Sequence, residues 1–170
     1  MQDESTLIHC EYVSSRSFDE VVSAFRAAIG APDREVFREA VQASMDPQDF
    51  ESRIRALEGT SGFMLFLEVD HGAWMARAGL QGRAKLYIVG NPLIARTMIE
   101  HDIGVGLNVP LRILIYEESG AATCRLAYDL PSSLMGRLRN EHVTTAAKLL
   151  DKKLAALAET VTATAAPPLP

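Results

Sequence analysis

The chain has 170 residues, 48% hydrophobic and 23% charged, which suits one ordinary globular domain whose core needs no disulfide or metal staples. A formal net charge of -5 and a pI near 5.4 argue against the broad basic surface of a phosphate-tracking nucleic-acid binder. The opening MQDESTLIHC carries acids where a secretion signal is basic, and no apolar run reaches the roughly 18 residues of a membrane span. The expectation is a soluble cytoplasmic protein with neither nucleic-acid nor membrane partners.

Residues 7 to 13, LIHCEYV, alternate as a strand with Ile8, Cys10 and Tyr12 on the face to be buried. Ser17-Phe-Asp-Glu20 has the spacing of a capping box, in which the serine hydroxyl takes the Glu20 amide and the glutamate reaches back. The helix it opens carries Val21, Val22, Phe25 and Ile29 on one stripe, and Gly30 is placed for a left-handed stop. Asp33 and Asp46-Pro47 start two short helices, the first with Val36, Phe37, Ala40 and Val41, the second with Phe50, Ile54 and Leu57, ended by Gly59. Together they read as an inserted helical hairpin over 31–60.

The run Phe63 to Val69 is almost continuously apolar, which predicts a central strand covered on both faces. Asp70 caps a short helix through HGAWMARAG, and Arg83 to Val89 form the next strand. Asn91-Pro92 starts a helix to about Glu100, burying Ile94 and Met98, because asparagine caps and proline fits the first turn. Leu111 to Glu117 and Ala122 to Tyr128 read as an antiparallel hairpin turning tightly at Ser119-Gly120. From about Arg137 to Val161 apolar residues step by three and four as a long amphipathic helix, and TATAAPPLP reads as a disordered tail, 162–170.

This order predicts a single α+β domain over 1–161: one layer of helices on a mainly antiparallel sheet of about five strands. A doubly wound fold is the alternative.

Four stretches, Val69-Asp70, Tyr87-Ile-Val-Gly-Asn-Pro92, Gly106-Leu-Asn-Val-Pro110 and Ile113-Leu-Ile-Tyr-Glu117, together resemble the Domain of Unknown Function 302 family. The resemblance covers most of the chain outside 31–60 and the tail. It implies a TATA-binding-protein-like arrangement of sheet and helices, frequent self-association, here as a homodimer, and no agreed activity. Members often carry cysteine just before the Asn-Pro and just after the later proline. Gly90 and Leu111 occupy those places here, which puts any role for paired thiols in doubt.

Several residue groups invite chemistry. A helix start at Asn91-Pro92 turns amides toward an anion, yet neither GxxxxGK[ST] nor GxGxxG accompanies it and Pro92 removes a donor, so capping is the simpler role. GVG at 104–106 lacks the third glycine and the capped helix of a dinucleotide fingerprint. Asp70-His71 pairs a carboxylate with an imidazole that titrates near neutrality, next to Trp74, as acid-base work requires. An ordinary cap followed by an exposed first-turn residue is the simpler account. His9, His71, His101 and His142 show neither HxH nor HExxH spacing, so no metal or cofactor is expected. Cys10 and Cys124, far apart and without CxxC spacing, read as small buried hydrophobes in a reducing compartment.

With no complete catalytic constellation, the first reading is a non-catalytic, self-associating domain that binds a small, partly apolar ligand between sheet and helices, with Asp70, His71, Trp74, Asn91 and Pro92 as candidate contacts. The second is an enzyme using Asp70 and His71 as an acid-base pair with Asn91 orienting substrate. The third is a protein-interaction module built on the 31–60 helices.

Overall fold

Ser17 opens the first helix as its spacing demands. Its hydroxyl accepts from the Glu20 amide at 3.4 Å, and the Glu20 carboxylate takes the Ser17 amide at 2.8 Å. The computed structural model describes residues 4–121 and 123–163. In chain order its elements are β1 (His9–Ser14), α1 (Phe18–Ala28), α2 (Arg34–Gln42), α3 (Pro47–Arg55), β2 (Met64–Asp70), α4 (His71–Arg77), β3 (Arg83–Gly90), α5 (Pro92–Ile99), β4 (Leu111–Glu117), β5 (Cys124–Asp129), α6 (Pro131–Met135) and α7 (Glu141–Thr162).

The strands form one sheet in the order β1-β5-β4-β3-β2, every pairing antiparallel. This is the α+β architecture that the element order predicts. Because successive strand residues point to opposite faces, the registers divide the sheet cleanly. Tyr12, Leu126, Ile115, Ile113 and Tyr87 align on one face, where α1 and α7 pack over them. The buried stripe of α7, including Val143, Leu150, Leu154 and Val161, closes this core, with Phe25 against the Tyr87 ring at 4.8 Å. Leu67, Leu86, Ile88, Leu114 and Ala127 align on the opposite face.

Four sequence expectations need correction. Phe63 to Val69 is not a central strand: β2 is an edge of the sheet, with Leu67 54% exposed. Its apolar run is covered at one end by the α2–α3 hairpin rather than by a second strand, and a run of apolar letters does not distinguish those two covers. Gly30 is not a left-handed cap. It lies extended beside β2, donating to the Phe63 carbonyl (2.8 Å) and accepting from the Leu65 amide (2.7 Å). An added Cβ there would stand 2.0 Å from the Leu57 carbonyl oxygen, so glycine is needed for close approach of two backbones. The long helix begins at Glu141, not Arg137, because Asn140 caps it by accepting from the His142 and Val143 amides, and a 3-10 turn over Gly136–Leu138, ended by Arg139 in the left-handed conformation, occupies the preceding segment.

The fourth correction concerns the last hairpin. β5 begins at Cys124, so the connection spans 118–123 and is wider than a two-residue turn; the expected start at Ala122 lies outside the described residues. Among smaller points, Asp46 caps α3 through the Gln48 and Asp49 amides, whereas the Asp33 side chain makes no cap bond. Val36 and Val41 are exposed. Thr162 still belongs to α7 and is buried, so only 164–170 of the expected tail fall outside the described residues.

Candidate functional site

The β3–α5 corner is held by Asn91, which is 5% exposed. Its Oδ1 accepts from the Leu93 amide at 2.8 Å, the cap that the sequence predicts. Its Nδ2 donates to Glu58 Oε2 at 2.6 Å and to the Gly62 carbonyl at 2.8 Å. Asn91 therefore ties α5 to the segment after α3, and its hydrogen-bonding groups are spent on that tie. Ile54, Met64 and Leu93 form a small second core beneath the hairpin, with Phe37, Phe50 and Leu57 packed against it.

Beside this corner opens a cavity of about 470 Å³, within the range of small-ligand sites. Four phenylalanines wall it: Phe37 from α2, Phe50 from α3, Phe63 before β2 and Phe66 from β2. Phe66 reaches it because the β2–β3 register slips between Leu65 and Leu67, a bulge that turns one side chain out of the alternating pattern. Its ring meets Phe37 edge-on at 5.2 Å, a favourable aromatic geometry. Gly90, Pro92, Pro110 and Leu111 complete the wall, and Arg96 is the one charged residue on it.

The sequence candidates divide between two places. Asn91 and Pro92 line the cavity; Asp70, His71 and Trp74 do not. Met64 pairs with Gly90 while Asp70 pairs with Lys85, so six strand residues, roughly 20 Å, separate the two groups. Asp70 caps α4 by accepting from the Ala73 amide at 2.9 Å and lies 3.5 Å from the Lys85 ammonium. The Trp74 indole donates to His71 Nδ1 at 3.0 Å, which places the proton of a neutral imidazole on Nε2. Trp74 is 53% exposed and so is neither core nor cavity wall. The two cavities lined by Asn91 contain neither Asp70 nor His71, so the structure does not bring the acid-base trio together.

Sequence reasoning missed a charged cluster on the helix-covered face. Glu68 binds both Arg26 and Lys85. Burial alone would raise its pKa, but the two cations outweigh that and hold it low. Close by, the Tyr87 hydroxyl is buried beside Arg26; burial first, then the Glu68 charge, push its pKa up. The signal was present in the alternation of Lys85 and Tyr87, but the i to i+2 spacing names no partner across the sheet. Cys10 is half-buried and Cys124 buried, both free thiols. Burial and then the Glu117 charge raise Cys124 to about 11, which leaves it an inert packing group. Among the described residues no His/Cys/Asp/Glu group is arranged to hold a metal.

A helix-backed antiparallel sheet with an apolar cavity at one strand-to-helix corner defines a small α+β domain. A family model described as "Domain of unknown function DUF302" matches residues 39–161. The chain belongs to that family, and the match takes in α3 and the end of α2, so the expected insertion over 31–60 is not wholly an addition to the family pattern. The crystal structure of an uncharacterized conserved DUF302 protein from Bacillus stearothermophilus has a TM-score of 0.61 at 18% identity, covering 90% of this chain and 97% of that one; it supports the fold alone. Among curated proteins, Fluoride-specific ion channel FluC 1 of Brucella suis is 33% identical over 86 residues, half of this chain and 34% of the channel. The FluC 1 of Brucella abortus matches equally, over 32% of its length. The chain thus spans about a third of these relatives, and among its described residues no helix is long and apolar enough to cross a membrane.

Proposed function

We propose that this domain is a non-catalytic binder of a small, largely apolar molecule held in the phenylalanine-walled cavity between the sheet edge and the helices. The carrying observation is the cavity itself: about 470 Å³, open to the surface and walled by Phe37, Phe50, Phe63 and Phe66, the concave apolar form of small-ligand sites. The α2–α3 hairpin supports the same reading, since Ile54 is fully buried and Phe37 and Phe50 pack on the Ile54–Met64–Leu93 core, while Val36 and Val41 face solvent. That orientation does not favour the hairpin as a protein-interaction module. The test is native mass spectrometry of the purified protein with a thermal-shift screen of apolar metabolites. A single mass and a flat melting temperature across the screen would remove the ligand from the reading.

A second reading, self-association, rests on the sheet face away from α1 and α7. Leu67, Leu86, Ile88 and Leu114 form an apolar patch there, of the kind that marks contact surfaces. Two copies pairing these faces would bury it symmetrically. Sedimentation of the wild type and of Leu114→Glu tests this, and a wild type that stays monomeric at high micromolar concentration refutes it. The free thiols Cys10 and Cys124 support a reducing, cytoplasmic setting, which cell fractionation would check.

A further inference from the structure

We propose that the ligand of this cavity is a monocarboxylic acid of about a dozen non-hydrogen atoms with an apolar body, its carboxylate paired to Arg96. The inference rests on the reading that the cavity binds a ligand, and adds the chemistry of that ligand.

The size follows from the volume. At roughly 30 Å³ per non-hydrogen atom in a condensed phase, 470 Å³ holds about fifteen atoms when full, and about a dozen with the looseness of a real site. The body must be apolar, because the walls offer aromatic and aliphatic surface and the polar atoms of Asn91 are already committed to Leu93, Glu58 and Gly62.

The head group follows from Arg96. It is the one charged residue that lines the cavity, and among the described residues its side-chain partner is Glu51, at 3.5 Å. That contact is loose, for Glu51 is more tightly engaged by Arg55 at 2.7 Å. The Arg96 side chain is 47% exposed and belongs to a residue that lines the cavity, so a ligand head group could reach a guanidinium held only by the loose Glu51 contact. A guanidinium matches a planar carboxylate with two parallel hydrogen bonds. A phosphate dianion would call for further cations or a cradle of backbone amides; the cavity wall has one arginine, and Pro92 lacks an amide hydrogen where α5 begins.

The test is isothermal titration of decanoate, 1-decanol and decyl phosphate at low salt into the wild type, Arg96→Gln, Arg96→Lys and Glu51→Gln. Decanoate is expected to bind about tenfold more tightly than decanol, the worth of one partly exposed charge-assisted pair. Arg96→Gln should abolish that preference and leave decanol binding unchanged. Arg96→Lys should retain part of it, and Glu51→Gln, by releasing Arg96, should strengthen it. Decanol binding as tightly as decanoate, or decyl phosphate binding more tightly, would overturn the carboxylate assignment while leaving the cavity as a ligand site. If none of the three binds, and Phe37→Ala and wild type behave alike, both readings fall together.

Discussion

Replacing Asn91 separates the two jobs that the structure gives it. In Asn91→Ala, α5 loses its cap, a change that costs about 1 kcal/mol in most helices. The same substitution removes the donor to Glu58 Oε2 and the Gly62 carbonyl. Glu58 keeps some solvent access and lies 3.8 Å from Arg55, so this second loss belongs near the low end of unsatisfied-group penalties, about 1 to 2 kcal/mol. The total of about 2 to 3 kcal/mol corresponds to a fall of roughly 5 to 10 °C in melting temperature for a domain of this size. Asn91→Ser keeps a capping oxygen but cannot reach Glu58, and should lose about half as much. Asn91→Asp keeps the cap but sets a carboxylate against Glu58; its deficit should be large at neutral pH and shrink in mild acid, where the pair shares a proton. Calorimetry with urea midpoints at two pH values measures all three. Equal stability for the alanine and serine variants would refute the cap's share, and a serine variant as stable as wild type would refute the tie to Glu58.

Two further perturbations probe the frame around the site. Gly30→Ala puts a methyl 2.0 Å from the Leu57 carbonyl oxygen and 2.8 Å from the Gly59 amide nitrogen; with backbone on the far side there is little room to yield, so a loss above about 3 kcal/mol is expected, and a urea midpoint near wild type would contradict the close crossing. Tyr116 is raised from 10.0 to about 12, chiefly by its hydrogen bond to Glu11 and then by burial. The folded state favours the neutral phenol, so this contribution is fully present below pH 10 and is lost as pH rises from 10 through 12. Tyr116→Phe should therefore flatten the decline of the urea midpoint over that window, and an unaltered slope would exclude Tyr116 as its source.

The fold was legible wherever a local rule sufficed. The Ser17 box, the Asp46, Asp70 and Asn91 caps and the bounds of β4 all depend on contacts within a few residues, or on alternation that survives in one strand. The position of β2 was not legible, because helices and strands bury an apolar run equally well. The cavity was only partly legible. Phe37 and Phe50 belonged visibly to an apolar stripe, but their meeting with Phe66 depends on a one-residue bulge that leaves no mark in FMLFLEV. Asn91 and Pro92 were singled out for their helix start; the bond from Asn91 to Glu58 crosses 33 positions, which no spacing rule spans. Trp74 misled because a large aromatic beside an apolar strand is ordinarily buried, whereas here the indole spends its donor on His71 at the surface.

The two departures from the family pattern acquire a common meaning in three dimensions. Gly90 and Leu111, which stand where the resemblance places cysteines, both line the same cavity. A Cβ at position 90 would stand 3.3 Å from Pro110 and 3.5 Å from the Phe66 ring, so any side chain there would fill the floor beneath the aromatic wall. Glycine leaves that floor open, and leucine at 111 replaces a polarizable thiol with hydrocarbon. The α2–α3 hairpin supplies Phe37 and Phe50 on the opposite side. These three features lie far apart in the chain, yet each makes one concavity larger or more apolar. Their convergence leaves the β3–α5 corner with a concavity whose lining is almost wholly apolar.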